Sequence, residues 1–222
     1  MNSGLFWLKF GLFTVGLGQS FVFVLVPPLA RDLGLSEIQT STVFAISALA
    51  WAMTSAGWGR MSDRHGRRNI AILGLVGYAI SMVALITPLF LVERNILDVA
   101  LLFPLLIFGR LINGVVGSAT RPASFAYVAD TSSREDRTLE FARMESSFLI
   151  GTVAGPLLGG ILFLITKETP FYLFSALALV GSVGIYKNLK SEKIKPRNPT
   201  VSKISYSSSN VWPFLLLAAM TS

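Results

Sequence analysis

The chain has 222 residues, of which 52% are hydrophobic and 14% charged, with a formal net charge of +7. Soluble domains carry about 25% charged residues, so the deficit here, with a mean hydropathy of +0.62, excludes an ordinary water-soluble globule and points to an all-α membrane protein. Cysteine is absent and His65 is the single histidine, which removes a disulfide framework and a Cys/His metal centre. The positive charges fall in short gaps between apolar runs, so they read as topology determinants rather than as a nucleic-acid surface.

A membrane-spanning helix needs roughly 20 mostly apolar residues. Leu5 to Ala30 satisfies this, interrupted by Lys9 and Gln19, and is too long for a signal-peptide core. After a turn over Arg31 to Leu35, Ser36 opens a second span to about Gly59, with Gln39 placed for a capping box. A polar island, Gly59 to Arg68, holds four arginines in nine residues and must lie in water, because each charge in hydrocarbon costs about 3 kcal/mol or more. The third span covers about Ile70 to Leu91, with a polar turn over Glu93 to Asp98.

The fourth span runs from about Val99 to Thr120 and contains Arg110 and Asn113. Arg121 to Glu140 is polar and reads as a cytoplasmic connector. The fifth runs from about Phe141 to Thr166. After a turn over Lys167 to Thr169, Pro170 suits the first position of the sixth helix, which ends near Tyr186. Residues 1–188 thus read as a six-helix bundle and 189–210 as a basic cytoplasmic linker. Residues 211–222 read as the start of a seventh helix, whose 12 residues reach roughly 18 Å against about 30 Å of hydrocarbon. With the N-terminus inside, 15 of the 19 lysines and arginines fall on the inner side. Three (Arg31, Arg94 and Lys167) fall outside, and Arg110 lies within the membrane. That asymmetry orients the bundle in a cell membrane, inner or plasma, with a cytoplasmic N-terminus.

The island reads G-x-x-x-D-R-x-G-R-R over Gly59, Asp63, Arg64, Gly66, Arg67 and Arg68. A topology-only turn accounts for the arginines but not for Asp63 or the flanking glycines. Gly66 suits a turn that needs positive φ, and Asp63 sits four residues before Arg67, where the two can pair. With this pattern the chain resembles the major facilitator superfamily, whose loop between helices 2 and 3 carries it. The resemblance implies that Asp63 and Arg67 latch the halves of a transporter in one state. It also implies that Asp130, in Tyr127-Val128-Ala129-Asp130, joins them in a charge network; by sequence alone Asp130 is equally a solvated helix-end charge.

In the fifth span, Gly151, Gly155 and Gly159 recur every four residues on one helix face, with Pro156 and Gly160 beside them. The spacing allows close helix approach, and the proline frees backbone groups for a kink. This is similar to the fifth-helix motif of the drug:proton antiporter branch, which includes tetracycline exporters. Arg110, with Gly114 and Gly117, resembles that family's fourth-helix motif, linked to proton coupling. A membrane-embedded arginine is a functional candidate by default, the alternative being one satisfied by carbonyls and Asn113 for packing alone. Gln19 and Asn113 are weaker candidates for a substrate cavity.

The sequence has no P-loop, no G-x-S-x-G and no paired-cysteine metal site, so the reading carries no cofactor and no enzymatic activity, and transport would draw on an ion gradient. None of the six spans has an acid near its middle. Either Glu145 serves coupling at the cytoplasmic mouth, or the acid lies in a missing half, or the likeness overstates coupling. The resemblance implies one half of a twelve-helix fold, made of inverted three-helix repeats. Its function would be proton-coupled efflux of a small molecule by alternating access. The implied partners are that substrate, protons, the bilayer and a missing C-terminal half or a second chain. The alternative is a truncated, non-transporting membrane protein acting as a regulatory or binding partner.

Overall fold

A computed structural model describes residues 3–189. Apart from Leu189, the expected linker at 189–210 lies outside the described residues, as does the expected helix start at 211–222. The described residues form helices α1 (Ser3–Asp32), α2 (Glu37–His65), α3 (Arg67–Glu93), α4 (Leu102–Val115), α5 (Thr120–Thr131), α6 (Arg137–Phe163) and α7 (Thr169–Asn188). Short 3-10 turns at Val99–Leu101 and Gly117–Ala119 run into α4 and α5, so that 99–131 behaves as one long rod. Connections between rods are no longer than five residues, which makes chain neighbours antiparallel, but apart from α3 with the fourth rod the main packing partners are not adjacent in the chain.

Five of the six expected spans are long and apolar enough to cross a membrane: α1, α3, the 99–131 rod, α6 and α7. By composition α2 is the exception. It has the length, but carries Thr40, Thr42, Ser47, Thr54 and Ser55. Their hydroxyls are satisfied within protein: Thr40, Thr42 and Ser55 donate to the carbonyls of Ser36, Ile38 and Trp51. Ser47 reaches the Arg110 carbonyl at 2.9 Å and Thr54 the Gly114 carbonyl at 3.1 Å. Hydroxyls bonded in this way make a polar helix compatible with a lipid-facing bundle and tie α2 to α4. The expected capping box is present, with Ser36 Oγ accepting from the Gln39 N–H and the Gln39 side chain returning to Ser36.

Three boundaries differ from expectation. α1 continues through Arg31 to Asp32. The arginine island is helical on both sides of Gly66, because its turn residues are mostly good helix formers. The connector expected from Arg121 to Glu140 shrinks to 132–136: Thr120–Thr131 extends the fourth rod and α6 begins at Arg137. The polar residues there follow helical spacing, which hydropathy alone cannot separate from a loop.

Packing pairs α1 with α6 and α7, α3 with α7 and the fourth rod, and α2 with α4. Exchanging rods one to three with rods four to six maps this set onto itself: one–five becomes two–four, one–six becomes three–four, and three–six is unchanged. That is the contact signature of two three-helix repeats. At the centre, Phe21 of α1 meets Phe171 and Phe174 of α7 edge-on, at 4.9 and 5.4 Å between centroids. Tyr78 of α3, fully packed, donates to the Thr14 carbonyl at 3.2 Å.

Candidate functional site

The signature turn is one residue long. Gly66 has φ 90° and ψ 135° and sends its N–H to the Ser62 carbonyl, closing α2 before α3 starts at Arg67. A side chain in that backbone region is strained, so Gly66→Ala should lower stability by about 1–3 kcal/mol. Thermal unfolding in detergent measures it, and an unchanged midpoint would show that the turn relaxes freely.

Immediately after the turn, Arg67 gathers four acceptors. It pairs with Asp63 one turn back on α2, and its Nε donates to Asp130 Oδ2 of α5 at 2.9 Å. Its Nη1 donates to Ser62 Oγ at 2.6 Å and to the Gly59 carbonyl at 3.4 Å. The guanidinium is largely covered, while Asp63 and Asp130 stay partly in solvent. Ion pairs so exposed contribute about 0–1 kcal/mol to folding. Their consequence is geometric: one side chain joins α2, α3 and α5 at a single point. Arg68 points elsewhere, stacking over the Tyr186 ring at 5.1 Å and donating to the Leu189 carbonyl at 3.4 Å, which ties α3 to the end of α7. Arg64 is exposed. A Cβ at Gly59 would meet nothing within 4 Å, so its glycine has no steric reason among the described residues.

Arg110 is 2% exposed and Asn113 3% exposed. The Arg110 guanidinium lies over Phe23 of α1 at 5.5 Å and Phe44 of α2 at 5.1 Å, two rings 4.9 Å apart. Its Nε and Nη1 have no hydrogen-bond partner, nor have Asn113 Oδ1 and Gln19 Oε1. The packing alternative, in which carbonyls and Asn113 satisfy the arginine, is therefore not what the side-chain geometry displays at those two nitrogens. Gly114, one turn on, lies against the Ser47 carbonyl, where an added Cβ would stand 2.6 Å away.

The α6 glycines meet α1 backbone to backbone. Added Cβ atoms at Gly151 and Gly155 would lie 2.2 Å from the Phe13 and Leu17 carbonyl oxygens, and at Gly159 2.0 Å from the Phe21 ring. Gly160 faces open space. Helix α6 runs without interruption through Pro156.

Glu145 is engaged by a residue that the sequence reading placed in a connector. Arg121 of α5 donates through Nη2 to both carboxylate oxygens, at 2.7 and 2.5 Å. The same guanidinium lies over Phe125 and Phe148. A further pair passed unnoticed in the sequence, Lys9 of α1 with Glu140 of α6 at 2.9 Å, with Arg143 also on Glu140. Lys9 within an apolar span was the available signal, since a lysine there needs an acid.

Long apolar rods joined by minimal turns, with a buried arginine and a charge-bridged turn, define a polytopic helical membrane protein. The sequence profile of the Major Facilitator Superfamily matches residues 8–222, and the chain belongs to that family. It is similar to the Quinolone resistance protein NorA of Staphylococcus aureus, 27% identical over 183 residues, which cover 82% of this chain and 44% of that protein. It is also similar to the Tetracycline resistance protein, class B, of Escherichia coli, 29% identical over 167 residues, which cover 74% and 38% respectively. The chain thus spans less than half the length of these relatives.

Proposed function

We propose that this chain forms one six-helix half of a secondary active transporter that exports a small molecule in exchange for protons by alternating access. In this reading α2 also crosses the membrane and completes the set of six spans, the signature turn faces the cytoplasm together with the N-terminus, and a second six-helix unit completes the substrate path. The observation that carries it is Arg67 bridging Asp63 and Asp130, because three rods joined at one charge centre can be released together. Family membership and the names of the two relatives support export of a drug-like molecule. Arg110 and Glu145 are the coupling candidates, and Gln19 and Asn113 belong to the cavity wall.

Asp63→Asn removes one carboxylate from Arg67. Losing about 1 kcal/mol from one of two states shifts their ratio by about fivefold. Accumulation of a quinolone and of tetracycline in cells expressing the protein should therefore rise toward that of cells lacking it. Unchanged accumulation with Asp63→Asn would remove the latch from the mechanism. Failure of the unsubstituted protein to lower accumulation of any drug tested would remove the efflux reading.

A further inference from the structure

Among the described residues, Arg121 alone is held by both a carboxylate and two aromatic faces. Its guanidinium sits 5.7 Å from the Phe125 centroid and 5.0 Å from that of Phe148, while its Nη2 donates to both Glu145 carboxylate oxygens. An acid flanked by ring faces is the arrangement that recognises organic cations, since each ring presents its negative quadrupole to a weakly hydrated charge.

The walls are fixed and the occupant is not. Phe125 packs on Phe141 at 5.5 Å. The backbone at Phe148 is pressed against α1, where a Cβ on Gly16 would lie 2.3 Å from the Phe148 carbonyl oxygen. The Arg121 and Glu145 side chains, in contrast, are 40% and 36% exposed, and an ion pair so open is worth about 0–1 kcal/mol. Glu145 lies eight residues into α6, about 12 Å from its start. It heads the face that continues through Leu149, Val153 and Leu157, which are 52%, 81% and 67% exposed. A half-open charge pair on such a face is costly against hydrocarbon, so the pair fits a face that looks onto water or another protein segment.

We infer that Glu145, Phe125 and Phe148 form a subsite for a delocalised organic monocation, and that Arg121 occupies it as a displaceable internal cation. This deepens the transporter reading by naming a substrate class, and rests on that reading for its purpose. An entering cation displaces the guanidinium into the adjoining water and takes over both the carboxylate and the rings. Its apparent affinity is therefore reduced by the fraction of time that Arg121 stays in place.

The test is equilibrium binding of radiolabelled tetraphenylphosphonium to the purified protein in detergent, with size-exclusion profiles to confirm folding. Arg121→Ala should tighten the dissociation constant by about two- to sixfold, as expected when the internal pair it removes is worth about 0–1 kcal/mol. Adding Glu145→Gln to Arg121→Ala should abolish the gain. An Arg121→Ala protein that binds no tighter overturns the subsite, as does a double variant that binds as tightly as Arg121→Ala. Should Arg121→Ala misfold, Phe148→Leu in the native background replaces it: weaker binding supports the subsite and unchanged binding overturns it. Export of the same cation from cells is read separately. Binding that follows the expected order without export overturns the transporter reading alone, whereas export with equal affinities in all variants overturns the subsite alone.

Discussion

Gly151→Ala and Gly155→Ala are expected to be the most damaging single substitutions in α6. Each places a methyl group 2.2 Å from a carbonyl oxygen of α1, at Phe13 and Leu17 respectively. The obstacle is backbone, not a flexible side-chain end, so relief requires the two helices to separate. Separation also loosens the packing of α1 against α7 around Phe21. Overpacking of this kind costs about 1–3 kcal/mol, to be read as a drop in the thermal unfolding midpoint in detergent. The two sites lie one turn apart and share the same helix displacement, so the double variant should lose less than the sum. Gly160→Ala is the internal control: nothing lies within 4 Å, and alanine is the better helix former by about 1 kcal/mol. Its midpoint should hold or rise. If Gly151→Ala and Gly160→Ala behave alike, the glycine stripe is not what seats α6 on α1.

That contrast also marks how far the sequence could be read. Spacing placed Gly151, Gly155 and Gly159 on one face, which follows from 3.6 residues per turn, and that face is the one that meets α1. The same spacing sets Gly160 off that face, and nothing lies within 4 Å of it. Six spans are expected from the apolar runs and five are apolar enough to cross a membrane, whereas the polar hydroxyls of α2 are intelligible only with their acceptors on α4 in view. The Arg67–Asp130 pair was suggested by resemblance, and the geometry places the two in contact; their role in gating is a separate matter, tested by Asp63→Asn. Arg121–Glu145 was missed for a physical reason. By composition the charges between 121 and 140 resemble a water-exposed connector, which hides the helix that brings Arg121 to Glu145. The repeat relation was likewise invisible in the residues, since it resides in which rods touch rather than in which side chains recur.

Arg110→Leu is expected to leave the fold as stable or more stable and, under the proposed function, to abolish export. Folding opposes a cation at 2% exposure, because its hydration is lost, and no carboxylate among the described residues offsets it. The rings of Phe23 and Phe44 return part of that cost, about 0.5–2 kcal/mol. Nε and Nη1 return nothing, as they have no partner. The bond from Ser47 to α4 ends on the Arg110 backbone carbonyl and survives any substitution of the side chain. Replacement of buried ionic groups by apolar ones of similar volume is neutral or stabilising by about 1–4 kcal/mol, and leucine should fall in that range. Under the proposed function, an arginine kept at such a disadvantage is a candidate for binding or relay, and drug accumulation should then rise to the level of cells without the protein. Arg110→Lys should not restore export, since an ammonium lacks the planar fork and stacks poorly between rings. The opposite pairing, a lowered unfolding midpoint with normal export in Arg110→Leu, would make the guanidinium a packing element and withdraw it from coupling.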